Sequence, residues 1–331
     1  MSLILDAAAT FRAQLRNRED TATSEMARRW LEIEHALQDS MDALVLELSQ
    51  TQTPTETQIL QSQRYLRLRQ QIAEQVTTYR HYASQLIQAD QTAALNMAIQ
   101  HSAALINVVA QDVGLSVDFD RLPIEAVQAI VGQSGDGSPL AVILTEASKA
   151  GDDALRRQLI AGLALGRNPK DLAKDVMRKG LGATFTRVST IYRTEVLRAY
   201  RYTSQEAYKA SGVVTGYKRL SARDSTCCLG CLMSDGQIYD LASNFDEHPA
   251  GRCSILPIVK DFPLKIGTGQ DWFKGQPEAT QKRMLGQTRY DLWQGGDVSL
   301  SDLVARRDNS TWGGALVPAT VEELKGRAGN G

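Results

Sequence analysis

The stretch EMARRWLEIEHALQDSMDALVLEL, residues 25–48, decides the architecture. Its apolar positions Trp30, Ile33, Leu37, Met41, Leu44 and Leu48 recur at intervals of three and four. That spacing puts them on one stripe of an α-helix and not on one face of a strand, where the interval would be two. The Thr- and Pro-rich segment 49–57 breaks the pattern. A second periodic run follows through Leu68, Ile72, Val76, Tyr79, Ala83 and Leu86 and continues to Val109, before Gly114 stops it. Two long antiparallel helices are the economical reading.

Further along, residues 122–131 read as a short helix and 132–139, GQSGDGSP, as a turn. Helices are expected over 140–150, 152–165 and 184–210, with one more running to Lys179, opened by Asn168 as N-cap and Pro169 at the first helical position. From Gly212 the grammar changes: 213–220 and 237–241 read as short strands with a cysteine-bearing loop between them. Beyond Pro257 the chain reads as irregular, with helices only at 277–285 and 301–306. The expected fold is mainly α with a small α+β C-terminal domain. In it a helical hairpin or arm (1–120) and a helical lead-in pass into a short-stranded, zinc-knot-like domain (121–258), followed by a C-terminal extension (259–331).

A chain of 331 residues, 43% of them hydrophobic, is long enough to bury at least one ordinary core. Read by eye, no apolar run reaches the ~18 residues of a membrane span, and the N-terminus is charged too early for a secretory signal. These features imply no membrane partner and synthesis in a cytoplasm. The net charge of −1 conceals an asymmetry. Residues 1–155 sum to −9, residues 156–223 to +11 and residues 224–331 to −3. A middle block this basic is a candidate surface for double-stranded DNA or an acidic protein, with Arg187, Arg198 and Arg201 as its candidate contacts. A solvated helix face is the alternative.

The chemistry sits in one constellation. All four cysteines lie between Cys227 and Cys253, which favours metal over a disulfide framework. Cys228 and Cys231 can wrap one ion from a tight turn in which Gly230 lets the backbone bend, and His248 with Cys253 can close a tetrahedral site. Three sulfurs and an imidazole suit structural zinc and not magnesium or calcium. Reduced cysteines buried as small hydrophobes, or a redox pair, are the other readings, and Cys227 competes with Cys228 as first ligand. His35, His81 and His101 read as helix-surface residues, and Trp272, Trp293 and Trp312 as anchors for a partner or for the tail.

The order Tyr192-Arg193-Thr194-Glu195 on a helix, Asp224 ahead of Cys-x-x-Cys, Asp235-Gly236, His248-Pro249 and Arg252-Cys253 resembles the phage Mu F-like family of minor head proteins, also called head morphogenesis proteins. The resemblance covers residues ~160 to 258. It implies a structural, non-enzymatic protein of a tailed-bacteriophage head, located in the procapsid interior after assembly in the host cytoplasm. Its implied partners are the portal and capsid or scaffold proteins, with packaged DNA as a further contact and self-association through the N-terminal helices. Arg193 and Glu195 are expected to bond loop backbone near the cysteines and to fix domain packing. Two other function classes stand beside this one, a zinc-stabilised nucleic-acid-binding module and a metal-dependent nuclease or toxin.

Overall fold

A computed structural model of the chain describes residues 3–50, 55–111, 128–165, 167–224, 226–243, 245, 247–260, 264, 266–309 and 312–328. The helix expected at 122–131 lies mostly outside the described residues. Two very long helices dominate: α1 (Leu3–Ser49) and, after the single capped turn of α2 (Glu56–Gln61), α3 (Gln63–Gln111). At 47 and 49 residues each spans about 70 Å. Pairings Glu47–Arg64, Met26 O–Tyr79 and Arg18–Asp90 show that they run antiparallel. The apolar stripe read at residues 30–48 is buried throughout, with Met41, Leu44 and Val45 fully covered.

What covers that stripe is the rest of the same chain. α4 (Leu140–Ala164) runs unbroken where two helices were expected, because Leu144, Leu155 and Leu159 continue one buried face across Gly151. α5 (Pro169–Val176) is capped by Asn168 as read from the sequence. It passes through a π-helical turn (Met177–Leu181) straight into α6 (Gly182–Ala210) without the break expected before Thr184. One hydrophobic core joins Leu15 on α1 to Tyr200 on α6 and takes in α3, α4 and α5 between them. The long helices are therefore not a free arm. α3 is also long and apolar enough, by length and composition, to cross a membrane, which corrects the by-eye reading. Half of its apolar window is buried inside the fold.

The remaining chain forms two small β units. β1 (Val214–Leu220) is the centre of an antiparallel sheet of order β2-β1-β3, with β2 at Ile238–Asp240 and β3 at Ser254–Val259. β1 and β3 pack with Tyr208 on the ends of α1 and α3. Between β1 and β2 lies the one-and-a-half-turn helix α7 (Leu229–Ser234). The C-terminal stretch expected to be irregular is built from regular elements. These are α8 (Gly269–Lys274), α9 (Glu278–Leu285), α10 (Gln287–Gln294), a 3-10 turn (Leu300–Leu303), the hairpin β4–β5 (Val304–Asn309, Gly313–Pro318) and α11 (Val321–Ala328). The helix expected at 301–306 is thus a 3-10 turn leading into a strand. Leu232 of α7 sits in the core of this unit with Phe273, Leu303 and Leu324. Gly230 has a different role from the expected bend: a Cβ there would stand 1.9 Å from Leu316 O, so glycine admits β5 against α7.

Polar groups tie the layers together. Glu19, buried on α1, receives Arg193 of α6 at 2.7 Å and Arg252 from the loop before β3 at 3.2 Å. Asp90, buried on α3, accepts from Tyr192 Oη at 2.6 Å and pairs with Arg18. His101 is a core residue and not a surface one. It stacks on Phe11 at 3.8 Å, and its ring nitrogens meet Tyr200 Oη at 3.0 Å and Gln14 Oε1 at 2.9 Å. His35 and His81 are exposed as expected.

Two outcomes follow from these burials. Glu19→Ala leaves two arginines without their acid and should cost about 2–4 kcal/mol in urea unfolding. Burial lowers His101 from 6.5 to about 4, so the unfolded chain binds a proton there that the folded chain refuses. Its contribution is present above pH 6.5 and is lost as the pH falls toward 4. His101→Gln should flatten the stability–pH curve in that window, by at most about 1.4 kcal/mol per pH unit.

Candidate metal centre

The centre forms where β1, α7 and the loop before β3 meet. Cys228 is the N-cap of α7, its sulfur accepting from Cys231 N at 3.2 Å, so one short helix presents both thiols on the same side. The opposite wall is a turn, His248 to Gly251, closed by Gly251 N donating to His248 O at 3.0 Å and containing Ala250 at φ +57°. Thr194 holds that turn from α6, its hydroxyl accepting from Ala250 N at 2.9 Å.

Within this frame His248 Nε2 stands 3.0 Å from Cys228 Sγ and 3.1 Å from Cys231 Sγ. Nδ1 faces Pro249 O at 2.9 Å, which keeps a proton on Nδ1 and aims Nε2 at the sulfurs. A ligating histidine is usually oriented in this way. Cys228, Cys231 and His248 together can hold a metal ion. Cys227 is excluded as first ligand: its thiol donates to Cys228 O at 3.6 Å, packs against the C-terminal core and is pushed up to about 12 by burial.

Cys253 departs from the expected four-ligand set. It belongs to a second buried group with Cys231 and Glu247, which shares Cys231 but does not merge with the first. Arg219 of β1 lies among these three, with Nη2 at 3.0 Å from Glu247 Oε1, 3.4 Å from Cys253 Sγ and 3.8 Å from Cys231 Sγ. Its guanidinium there replaces the cation that the second group would otherwise need. Glu247 Oε1 is 3.4 Å from Cys231 Sγ and 3.6 Å from His248 Nε2, and Oε2 is buried with no hydrogen-bond partner. A buried carboxylate with one oxygen near a thiol and an imidazole and the other left without a partner is compatible with a cation at this site. Two groups thus stand at the fourth position, Glu247 and Cys253. Glu247 and Arg219 escaped sequence reading, although Glu247 adjoins His248.

Protonation in the metal-free protein follows from these contacts. The Cys231 thiol and the His248 ring bring Cys228 down to about 4. Cys228 in turn raises His248 to about 9, so the two form a thiolate–imidazolium pair. Cys231, wedged between Cys228 and Cys253, is pushed up as the protonated partner.

The other motif residues hold loops and helices. Asp224 Oδ1 caps its own turn through Thr226 N and Oγ1 at 2.9 and 2.7 Å. Asp235, fully buried, accepts from Ser221 N and Oγ at 2.8 and 2.6 Å and from Arg223 Nη2 at 2.7 Å. Gly236 takes φ +87°, where glycine is at ease, and Pro249 supplies the carbonyl that orients His248. Arg193 and Glu195 do not reach loop backbone near the cysteines. Arg193 binds Glu19, while Glu195 is buried between Arg198, Gly135 N and Trp312 Nε1. Thr194, between them, makes the bond to the loop.

Of the three candidate DNA contacts, burial withdraws Arg201. Arg201 is 6% exposed and donates to Gly251 O at 3.1 Å and Cys253 O at 3.4 Å, so it faces the centre and not a phosphate. Arg198 is spent on Glu195 and Gln133 O at 2.7 and 2.8 Å, and Arg187 lies 4.5 Å from the Trp312 ring. Trp312 therefore pins the C-terminal hairpin to α6, and Trp272 and Trp293 pack on the C-terminal core. No protein-family model, curated protein or solved structure matches this chain.

A labelling experiment reads these assignments. In chelator-treated protein at pH 7, iodoacetamide should alkylate Cys228 well ahead of Cys227, and added divalent zinc or cobalt should suppress the Cys228 reaction. Equal labelling of both, unchanged by metal, would contradict the arrangement.

Proposed function

We propose that this protein is a structural minor head protein of a tailed bacteriophage, in which a zinc knot stiffens the junction between a long helical bundle and a C-terminal β unit. The observation that carries the reading is the way the ordered motif behaves in three dimensions. Its residues are scattered from Arg193 to Cys253, yet they serve one junction: Thr194 on the Ala250 turn, Arg193 and Arg252 on Glu19, Asp235 on the β1 end, and His248 on the two cysteines. Each of these contacts holds one element against another, which is the work of an assembly part.

Zinc is the metal that two thiolates and an imidazole select. Cys228, Cys231 and His248 hold it, and either Glu247 or Cys253 closes the fourth position. A closed set of four protein ligands gives the ion a structural role. Contact with packaged DNA falls to the exposed cations Lys170, Lys174, Arg178 and Lys179 and to the half-exposed Arg187, with Arg201 buried and Arg198 paired with Glu195.

Protein purified without chelator should contain about one zinc per chain, and Cys228→Ser, Cys231→Ser or His248→Asn should each remove it. Retention of zinc by Cys253→Ser with loss in Glu247→Gln assigns the fourth ligand to Glu247, and the reverse pattern assigns it to Cys253. Near-zero metal, with melting unchanged by chelation, contradicts the zinc reading. Co-expression with the portal and major capsid proteins of the same phage should give a portal-bound complex at low copy number. Free protein, together with normal heads formed in its absence, contradicts the head-assembly role.

A further inference from the structure

A cavity of about 240 Å³ opens where α1, α6 and the loops around the metal centre meet. Its composition is uneven. Four arginines line it, Arg12 and Arg16 from α1, Arg201 from α6 and Arg252 from the loop before β3, against two acids, Glu19 and Asp224. Both acids are committed elsewhere. Glu19 is held by Arg193 and Arg252, and Asp224 caps its own turn through Thr226.

The arginines are not satisfied to the same degree. Arg12, partly buried, has one hydrogen bond among the described residues, from Nη1 to Ser221 O at 2.6 Å, and it meets a carbonyl there and not a carboxylate. Arg201 spends its buried guanidinium on two further carbonyls. Arg252 reaches Glu19 through Nη2, but its Nε is buried without a partner. Removing several guanidinium groups from water without matching anions is costly, and a buried orphan N–H adds to that cost. Between the arginines the wall is apolar, made by Ala9, Ala13, Leu197 and Tyr200.

We propose that this cavity binds a carboxylate carried on an apolar stem about the size of one amino-acid side chain. Arg12 and Arg252 grip the carboxylate, and the Ala9–Ala13 face of α1 and Leu197 of α6 cover the stem. A guanidinium matches a carboxylate with paired N–H donors, so Arg12, which meets only a carbonyl, and Arg252, whose Nε is left over beyond its contact with Glu19, favour that group. The volume is below the ~300 Å³ at which pockets for drug-sized ligands begin, which limits the stem to one residue. The apolar wall disfavours a bare inorganic anion. Such a carboxylate has two sources, the C-terminus of a protein chain ending in an aliphatic residue, or a small free acid. The site borders the metal centre at Cys253, but Arg12 and the α1 wall take no part in that centre.

The test uses the full chain and titrates N-acetyl-leucine, followed by NMR or calorimetry, with N-acetyl-leucinamide as the uncharged control. Saturable binding with a Kd near or below about 1 mM is expected for the acid, and at least about tenfold weaker binding for the amide. Arg12→Gln should weaken the acid at least tenfold. Ala13→Trp, on the exposed side of α1, should block the cavity while leaving the urea midpoint unchanged. A tetrapeptide ending in leucine and 4-methylpentanoate separate the sources: tighter binding of the peptide assigns a protein C-terminus, and binding of 4-methylpentanoate alone assigns a free acid. Equal binding of acid and amide, no effect of either substitution, or no saturation at all overturns the proposal.

Discussion

The helix bundle and the loop before β3 meet at Glu19. A carboxylate on the buried side of a long helix is tolerated only with cations brought to it, and here they arrive from two different directions, Arg193 from α6 and Arg252 from the loop carrying His248 and Cys253. One residue along α6, Thr194 bonds Ala250 N in the same loop, and two turns further Arg201 takes the carbonyls of Gly251 and Cys253. The loop that supplies half of the metal centre is therefore hung on the bundle by side chains, with little backbone pairing of its own before β3 begins.

That arrangement makes the metal centre a keystone between two bodies. On one side the His248 turn leans on α6 and α1. On the other, α7 carries Cys228 and Cys231 while its apolar face, Leu229, Leu232 and Met233, is buried in the C-terminal unit. Gly230 allows the β5 backbone to lie against it. An ion bound by Cys228, Cys231 and His248 would join the two walls directly. The charge around it is arranged to match, with Arg219 holding Glu247 and Cys253 on the buried side.

Much of this was legible in the residue pattern, and the reasons for success and failure are physical. The stripe from Trp30 to Leu48 and the Asn168-Pro169 cap are local signals, and local signals survive into the structure. β1 and β2 were read from short apolar runs next to turns. β3 was missed because it pairs with β1 from about forty residues away, and that register is a tertiary fact. The helical interruptions expected at Gly151 and Gly180 vanished because packing on both sides overrode the cost of glycine. In the C-terminal unit only the helix at 277–285 is legible, for the opposite reason. The unit's elements are four to eight residues long, too short for periodicity to register, and they are fixed by Phe273, Leu303 and Leu324 meeting α7. At the site, ligand chemistry pointed to Cys228, Cys231 and His248, but charge counting could not distinguish an arginine on the surface from Arg201 or Arg219 inside.

The central claim is that metal centre, α6 and α1 form one cooperative unit joined through Glu19. Hydrogen exchange read by mass spectrometry, with and without metal removal by chelator, tests it directly. The account predicts that chelation speeds exchange not only in residues 226–260 but also in α1 around Glu19 and in α6 around Thr194. A change confined to residues 226–260, with both helices untouched, would contradict it.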